Sequence, residues 1–139
     1  MNICYTTTIP PREAYFALFE TTGWNAEYCL TAEELHQALQ ASWHVVCAYD
    51  GEKLVGFGRM VSDGVVHAMI YDMIVDPAYQ GQGIGTEILA LLVEYCRSIR
   101  IRDIQLFCAR GKRPFYEKNG FSARPDDAPG MQQRLSYGA

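Results

Sequence analysis

No apolar run in this chain approaches the ~20 consecutive residues that a membrane-crossing helix requires, and the opening MNICYTTTIPPRE lacks a basic segment followed by a hydrophobic one. Membrane association is therefore not expected, and the chain reads as cytoplasmic. The five cysteines (Cys4, Cys29, Cys47, Cys96, Cys108) include no CxxC pair. Cys47, Cys96 and Cys108 fall in apolar runs and read as reduced core thiols, and no metal is expected. Positive charge is scarce: the formal net charge of −4 argues against general nucleic-acid binding, which relies on basic patches that neutralise phosphates. Residues 13 to 52 hold no Lys or Arg at all beside Glu13, Glu20, Glu27, Glu33, Glu34, Asp50 and Glu52. The bases gather instead between residues 97 and 118, where only Asp103 and Glu117 oppose them. One stretch suits a cation and the other an anion, although any single charge is most simply a solvated one.

What is present describes a folded globule. With 139 residues, 49% of them hydrophobic and 20% charged, the chain is far from a disordered composition and large enough for one core. No internal repeat or linker divides it, so residues 1–139 read as a single domain.

The element order follows from punctuation and period. Residues 2 to 8 read as a short strand, ended by Pro10-Pro11, which place a proline at the start of a helix over 12–21. A loop carrying Trp24 and Tyr28 leads to Thr31 and Glu34, a capping box that opens a helix over 32–41. Strands are predicted over 43–49 and 53–61 about an Asp50-Gly51 turn, with Gly56 and Gly58 marking a bulge or a close backbone contact. The nearly continuous apolar run 65–75 predicts a central strand. A glycine-rich turn, QGQGIG at 80–85, then opens a long amphipathic helix. Residues 103–108 predict a strand parallel to the central one through a right-handed crossover. A last helix at 113–119, capped by Gly120, and a final strand pair at 121–123 and 131–137 complete an α/β (α+β) expectation.

Strand, glycine turn and helix in that order build an anion site, because glycines let backbone N–H groups converge at the positive end of the helix. Two nucleotide-binding templates fail here. The turn is not GxGxxG in a first βαβ unit with an acid ~20 residues on, and no Lys-Ser or Lys-Thr follows it as a phosphate-binding loop requires.

VDPAYQGQGIG before a long helix, with FYEKNGF about 30 residues later, resembles the GNAT superfamily of acetyl-CoA-dependent N-acetyltransferases. Gln80, Gly83 and Gly85 match its Arg/Gln-x-x-Gly-x-Gly/Ala core. Gly120-Phe121, Pro125 and Gly130-Met131 are most similar to small bacterial and plastid members. The resemblance implies one GNAT domain with a mixed sheet of about six or seven strands, about four helices, and a splay between the fourth and fifth strands. It implies acetyl-CoA as co-substrate, direct attack by a primary amine in a ternary complex, and frequently a homodimer. The amine is left open between an arylalkylamine or polyamine and a lysine or N-terminal amine. The alternative from another class is a regulatory module that binds acyl-CoA without turnover.

By the same resemblance, the amides of Gly81, Gln82, Gly83, Ile84, Gly85 and Thr86 hold the CoA pyrophosphate, and Met73, Ile74 and Val75 offer backbone groups to pantetheine. Tyr116, in FYEKNGF, corresponds to the general acid that protonates the departing thiolate; packing of helix on sheet is its ordinary alternative. Phe115 and Phe121 read as core. Position 109 is Ala where the family often has Asn at the cofactor, leaving Arg110, Lys112 and Arg113 as phosphate candidates or solvated charges. A neutral amine is needed for attack, so a base must accept a proton. Asp72 is the first candidate, since a carboxylate in an apolar strand is either hydrogen-bonded or functional. His67 is the second. Strand alternation puts His67, Met69, Tyr71 and Met73 on one face and Asp72 on the other unless a bulge intervenes. Trp24, Tyr28 and Tyr71 are candidates for walling the amine, with Glu27 or Glu33 drawing its charge, against ordinary core packing of Trp24.

Overall fold

Period and punctuation translate into structure with few exceptions. A computed structural model describes residues 2–137, which fall into two compact units, Met1–Leu106 and Phe107–Ala139. The first unit carries a five-stranded sheet in the order β1 (Ile3–Thr6), β2 (His44–Asp50), β3 (Lys53–Ser62), β4 (His67–Val75) and β5 (Asp103–Leu106). Neighbours are antiparallel except β4 and β5, which run parallel as the helical crossover requires. The parallel ladder covers only His67↔Asp103 to Ile70↔Leu106, so Tyr71–Val75 continue without a β5 partner. The ladder stops there because β5 itself ends at Leu106.

Helix α1 (Arg12–Glu20) follows Pro11, α2 (Asn25–Tyr28) is a single turn, and α3 (Ala32–Gln40) starts at the predicted capping box. There the Glu34 N–H donates to Thr31 Oγ1 at 3.1 Å, and the Thr31 N–H donates to Glu34 Oε1 at 3.0 Å. One sheet face packs Tyr15, Leu18 and Phe19 of α1 and Leu35 and Leu39 of α3 on Val45, Cys47, Phe57 and Ile74. Helix α4 (Ile84–Ile99) covers β2, β3 and β4, burying Ile84, Ile88, Leu89, Leu92 and Cys96. Ile99, at its last turn, is exposed.

Gly56 and Gly58 mark a close approach. A Cβ at Gly58 would stand 2.8 Å from Met73 Sδ and 3.0 Å from Ile88 Cγ2 and Leu92 Cδ1; one at Gly56 would meet Ile88 Cδ1 at 2.8 Å. Their bare backbones let α4 seat low on β3, which fixes where its N-terminus lies. Gly58→Ala should cost about 1–3 kcal/mol by overpacking, measured by urea denaturation; an unchanged midpoint would mean that the helix shifts freely.

Three sequence expectations are corrected. The described residues hold five strands rather than six or seven, because 121–123 and 131–137 form none. Met131, Leu135 and Tyr137 are exposed there, so an apolar pattern alone found no neighbouring strand to pair with. There are five α-helices rather than four, because the four residues of α2 are too few to show a period. The central strand begins at His67 rather than Val65, since Asp63 Oδ1 accepts N–H bonds from Val65, Val66 and His67 and holds them in the turn.

The second unit contains α5 (Arg113–Lys118), which ends before Gly120 at φ +94°. The left-handed cap predicted there is present. Cys108 is exposed, unlike the buried Cys47 and Cys96; the apolar run around it marks the end of a strand and not a core position.

Candidate functional site

Beyond β4 the chain turns sharply, and side chains from the β2–β3 hairpin hold the turn. Asp76 caps a short 3-10 turn, Pro77–Tyr79, by accepting the Ala78 N–H at 2.9 Å. The Tyr79 hydroxyl donates to Asp50 Oδ2 at 2.6 Å, and Lys53 lies 3.6 Å from Asp76 and 5.4 Å from the Tyr79 ring centre. Gln80 Nε2 donates to the Val75 carbonyl at 3.0 Å, tying the glycine turn back to its own strand. These partners were not evident in the sequence, because the Asp50-Gly51 hairpin accounts for itself without any role at a distant turn.

Gly81 (φ +80°) and Gly83 (φ +86°) then bring the chain into α4 through the left-handed region. A Cβ at either would meet nothing within 4 Å, so the backbone conformation, not crowding, selects glycine. Gly83 is the N-cap and no side chain caps the helix. The N–H groups of Ile84, Gly85 and Thr86 therefore have no intrahelical acceptor, and they lie at the positive end of a helix of 16 residues. This arrangement suits an anion such as a pyrophosphate.

Asp72 sits at a break in β4. Its φ is +57°, and the β3–β4 register slips between Phe57↔Ile74 and Arg59↔Tyr71, leaving an extra residue in β4. The bulge overrides simple alternation, and Tyr71 and Asp72 both reach Arg59. Arg59 Nε donates to Asp72 Oδ2 at 2.7 Å, while the Tyr71 ring centre lies 5.5 Å from the guanidinium carbon. The Tyr15 hydroxyl donates to the same Oδ2 at 3.2 Å, and Arg59 Nη1 donates to Ser42 Oγ at 3.3 Å. Burial first, then the Asp72 charge, pushes the Tyr15 phenol far up, so it remains a donor. Asp72 Oδ1 has no hydrogen-bond partner among the described residues.

Arg59 and Tyr15 were missed by sequence reasoning. The available signal was reciprocal: Arg59 interrupts an apolar strand as Asp72 does, and the hairpin between them sets the two strands antiparallel.

The other candidates separate. Met73 packs against Gly58, Ile74 enters the core on the α1 face, and Val75 takes the Gln80 bond. Trp24, half-buried, packs edge-on against Phe19 at 5.9 Å at the margin of the core, while Tyr28 is exposed. His67 pairs with Asp103 at 3.5 Å at the start of β4, away from the bulge.

Within the second unit, Tyr116 stands edge-on to Phe115 (5.0 Å) and Phe121 (6.0 Å). Burial first, then Cys108, pushes its phenol up to about 12, so it carries its proton at neutral pH. Arg113 pairs with Glu117 at 3.1 Å on α5. Among the described residues no cluster of three or more His, Cys, Asp or Glu could hold a metal ion, and no helix is long and apolar enough to cross a membrane.

Strand β4, an uncapped glycine turn and the long helix α4 follow one another in that order. The family model described as Acetyltransferase (GNAT) family matches residues 11–121, and the chain belongs to that family. A soybean (Glycine max) protein named histone acetyltransferase TAP1 is 32% identical over 123 residues, 83% of this chain and 53% of its own. GCN5-related N-acetyltransferase 2, chloroplastic, from Arabidopsis thaliana is 40% identical over 87 residues, 59% of this chain and 34% of its own. The chain thus spans about half or less of the length of these curated relatives. A GNAT-family acetyltransferase structure from Streptococcus pneumoniae superposes with a TM-score of 0.79 at 28% identity, covering 98% of this chain and 100% of that one.

Proposed function

We propose that residues 1–139 act as one domain that transfers the acetyl group of acetyl-CoA to a primary amine by direct attack in a ternary complex. The observation that carries this reading is the uncapped N-terminus of α4 behind Gly81 and Gly83, in a chain of the GNAT family. The amides of residues 81–86 would hold the pyrophosphate, with Gln80 keeping the turn closed, and the backbone of Met73–Val75 would align pantetheine. The amine nitrogen forms its bond to the thioester carbonyl carbon as its proton passes to Asp72, whose Oδ1 is the open oxygen. The C–S bond then breaks, and the resemblance assigns protonation of the leaving thiolate to Tyr116. A phenol raised to about 12 keeps that proton throughout the working range. Tyr71, on the face shared with Asp72, and the exposed Tyr28 border the amine in this reading; Trp24 supports them from the margin of the core.

The acceptor is an arylalkylamine, a polyamine, or a lysine or N-terminal amine of a peptide. The relative named a histone acetyltransferase supports the peptide arm. The protein works in the cytoplasm as a homodimer in this reading; the relative named chloroplastic makes the chloroplast the competing address, which cell fractionation decides. Initial velocities over a grid of both substrates should give intersecting double-reciprocal lines, and acetyl-CoA alone should leave no acetyl on the protein. Parallel lines with a covalently acetylated protein would replace direct attack by a two-step transfer.

The alkaline side of the kcat/KM profile should carry no Tyr116 step below about pH 10, because that phenol titrates near 12. Asp72→Asn should lower kcat by about 10²-fold or more through loss of the proton acceptor; a wild-type kcat would restrict Asp72 to bracing β4.

A further inference from the structure

The Asp72 bulge raises a question of support. A non-glycine residue at φ +57° inside a strand is uncommon and persists only where its surroundings over-determine it. Here the surroundings are specific. Arg59 projects from β3 and meets three groups at once: Asp72 Oδ2 at 2.7 Å, Ser42 Oγ at 3.3 Å and the Tyr71 ring at 5.5 Å. Its side chain is 17% exposed and that of Asp72 22%, so the ion pair is largely withdrawn from solvent. Tyr15, in the core between Phe19 and Phe57, fixes the same oxygen from the opposite element.

We propose that Arg59 is a positioning residue for amine acetylation: it holds Asp72 by one carboxylate oxygen, stabilises the β4 bulge, and so presents the second oxygen to the acceptor. This rests on the reading of Asp72 as the group that takes the amine proton. The guanidinium suits the task because its planar fork reaches the carboxylate and Ser42 in fixed directions, while a lysine ammonium can serve only as a point charge. Anchoring at β3 also places the bulge where the β4–β5 ladder has just ended at Ile70↔Leu106, so the bulged residues meet no β5 neighbour. Arg59 does not touch the reacting atoms; its effect on the chemistry passes through the Asp72 carboxylate it holds.

That dependence makes the test a double-mutant cycle. Wild type, Arg59→Met, Arg59→Lys, Asp72→Asn and the two combined variants are assayed with acetyl-CoA against tyramine, spermidine and a lysine peptide, and CoA affinity is measured by calorimetry. Arg59→Met should lower kcat at least about tenfold through misplacement of the base, with CoA affinity within about twofold of wild type. Arg59→Lys should recover part of the loss. In the Asp72→Asn background neither Arg59 change should lower kcat further. Losses that multiply, or a wild-type kcat in Arg59→Met, would overturn the proposal while leaving the transferase standing. Should Arg59→Met fail to bind CoA and thus fail to fold, Arg59→Lys carries the same comparison. A wild type that acetylates none of the three amines, nor an aminoglycoside assayed beside them, would overturn the transferase reading itself, and this proposal with it.

Discussion

Tyr116→Phe is expected to lower kcat by about 10²-fold or more, the usual worth of a positioned proton donor, while CoA affinity stays within about twofold. The substitution removes one oxygen and leaves the ring between Phe115 and Phe121, so packing in the second unit is retained. Burial pushes the phenol up to about 12, above the ordinary tyrosine value, so it holds its proton at neutral pH and is available as a donor. The sign is simple: the neutral donor form persists as pH rises until the folded value is approached, so the loss in Tyr116→Phe should be the same across the neutral and mildly alkaline range. A variant that turns over at the wild-type rate, with chemistry shown to limit the rate by single-turnover measurement, would leave Tyr116 a packing residue.

Gly83→Val should act on the other substrate. A β-branched residue at φ +86° is strained by roughly 1–3 kcal/mol whatever space surrounds it, and the open space there means that relief has to come from the backbone. Turning this residue out of the left-handed region redirects the first N–H groups of α4. CoA affinity should fall by about tenfold to a hundredfold, since 1.4 kcal/mol corresponds to a factor of ten, and the helix itself should persist because its core face of Ile84, Ile88 and Leu92 is untouched. Calorimetry with CoA and circular dichroism of the same sample separate the two effects. Unchanged affinity would place the anion elsewhere on the chain.

Tyr79→Phe is a milder companion. It removes the 2.6 Å bond to Asp50 that anchors the turn before the glycines, and it should weaken CoA binding by only a fewfold, about the worth of one hydrogen bond at a partly exposed site.

Much of this fold was legible because its signals are local. The capping box at Thr31-Glu34, the Asp50-Gly51 hairpin and the glycine entry to α4 each depend on a few adjacent residues whose chemistry admits one outcome. Illegible parts depend on what lies across the sheet. Residues 131–137 alternate in sequence yet form no strand, and Cys108 is exposed although it belongs to an apolar run. Asp72 shows both sides of this. Its oddity within an apolar strand was visible in the sequence, and so was the chance of a bulge, but which of the two faces it took was not, because its partners Arg59 and Tyr15 lie 13 and 57 positions away.

In the proposed reading the acceptor is the least local property of all, since side chains from several elements meet around Asp72. The central claim nevertheless has a direct test. Thiol release from acetyl-CoA, followed with arylalkylamines, polyamines, aminoglycosides and lysine peptides, should exceed the amine-free rate for at least one class and yield one acetylated amine per CoA released. Tight CoA binding with no release above that background for any of them would contradict the account and leave a module that senses acyl-CoA without turning it over.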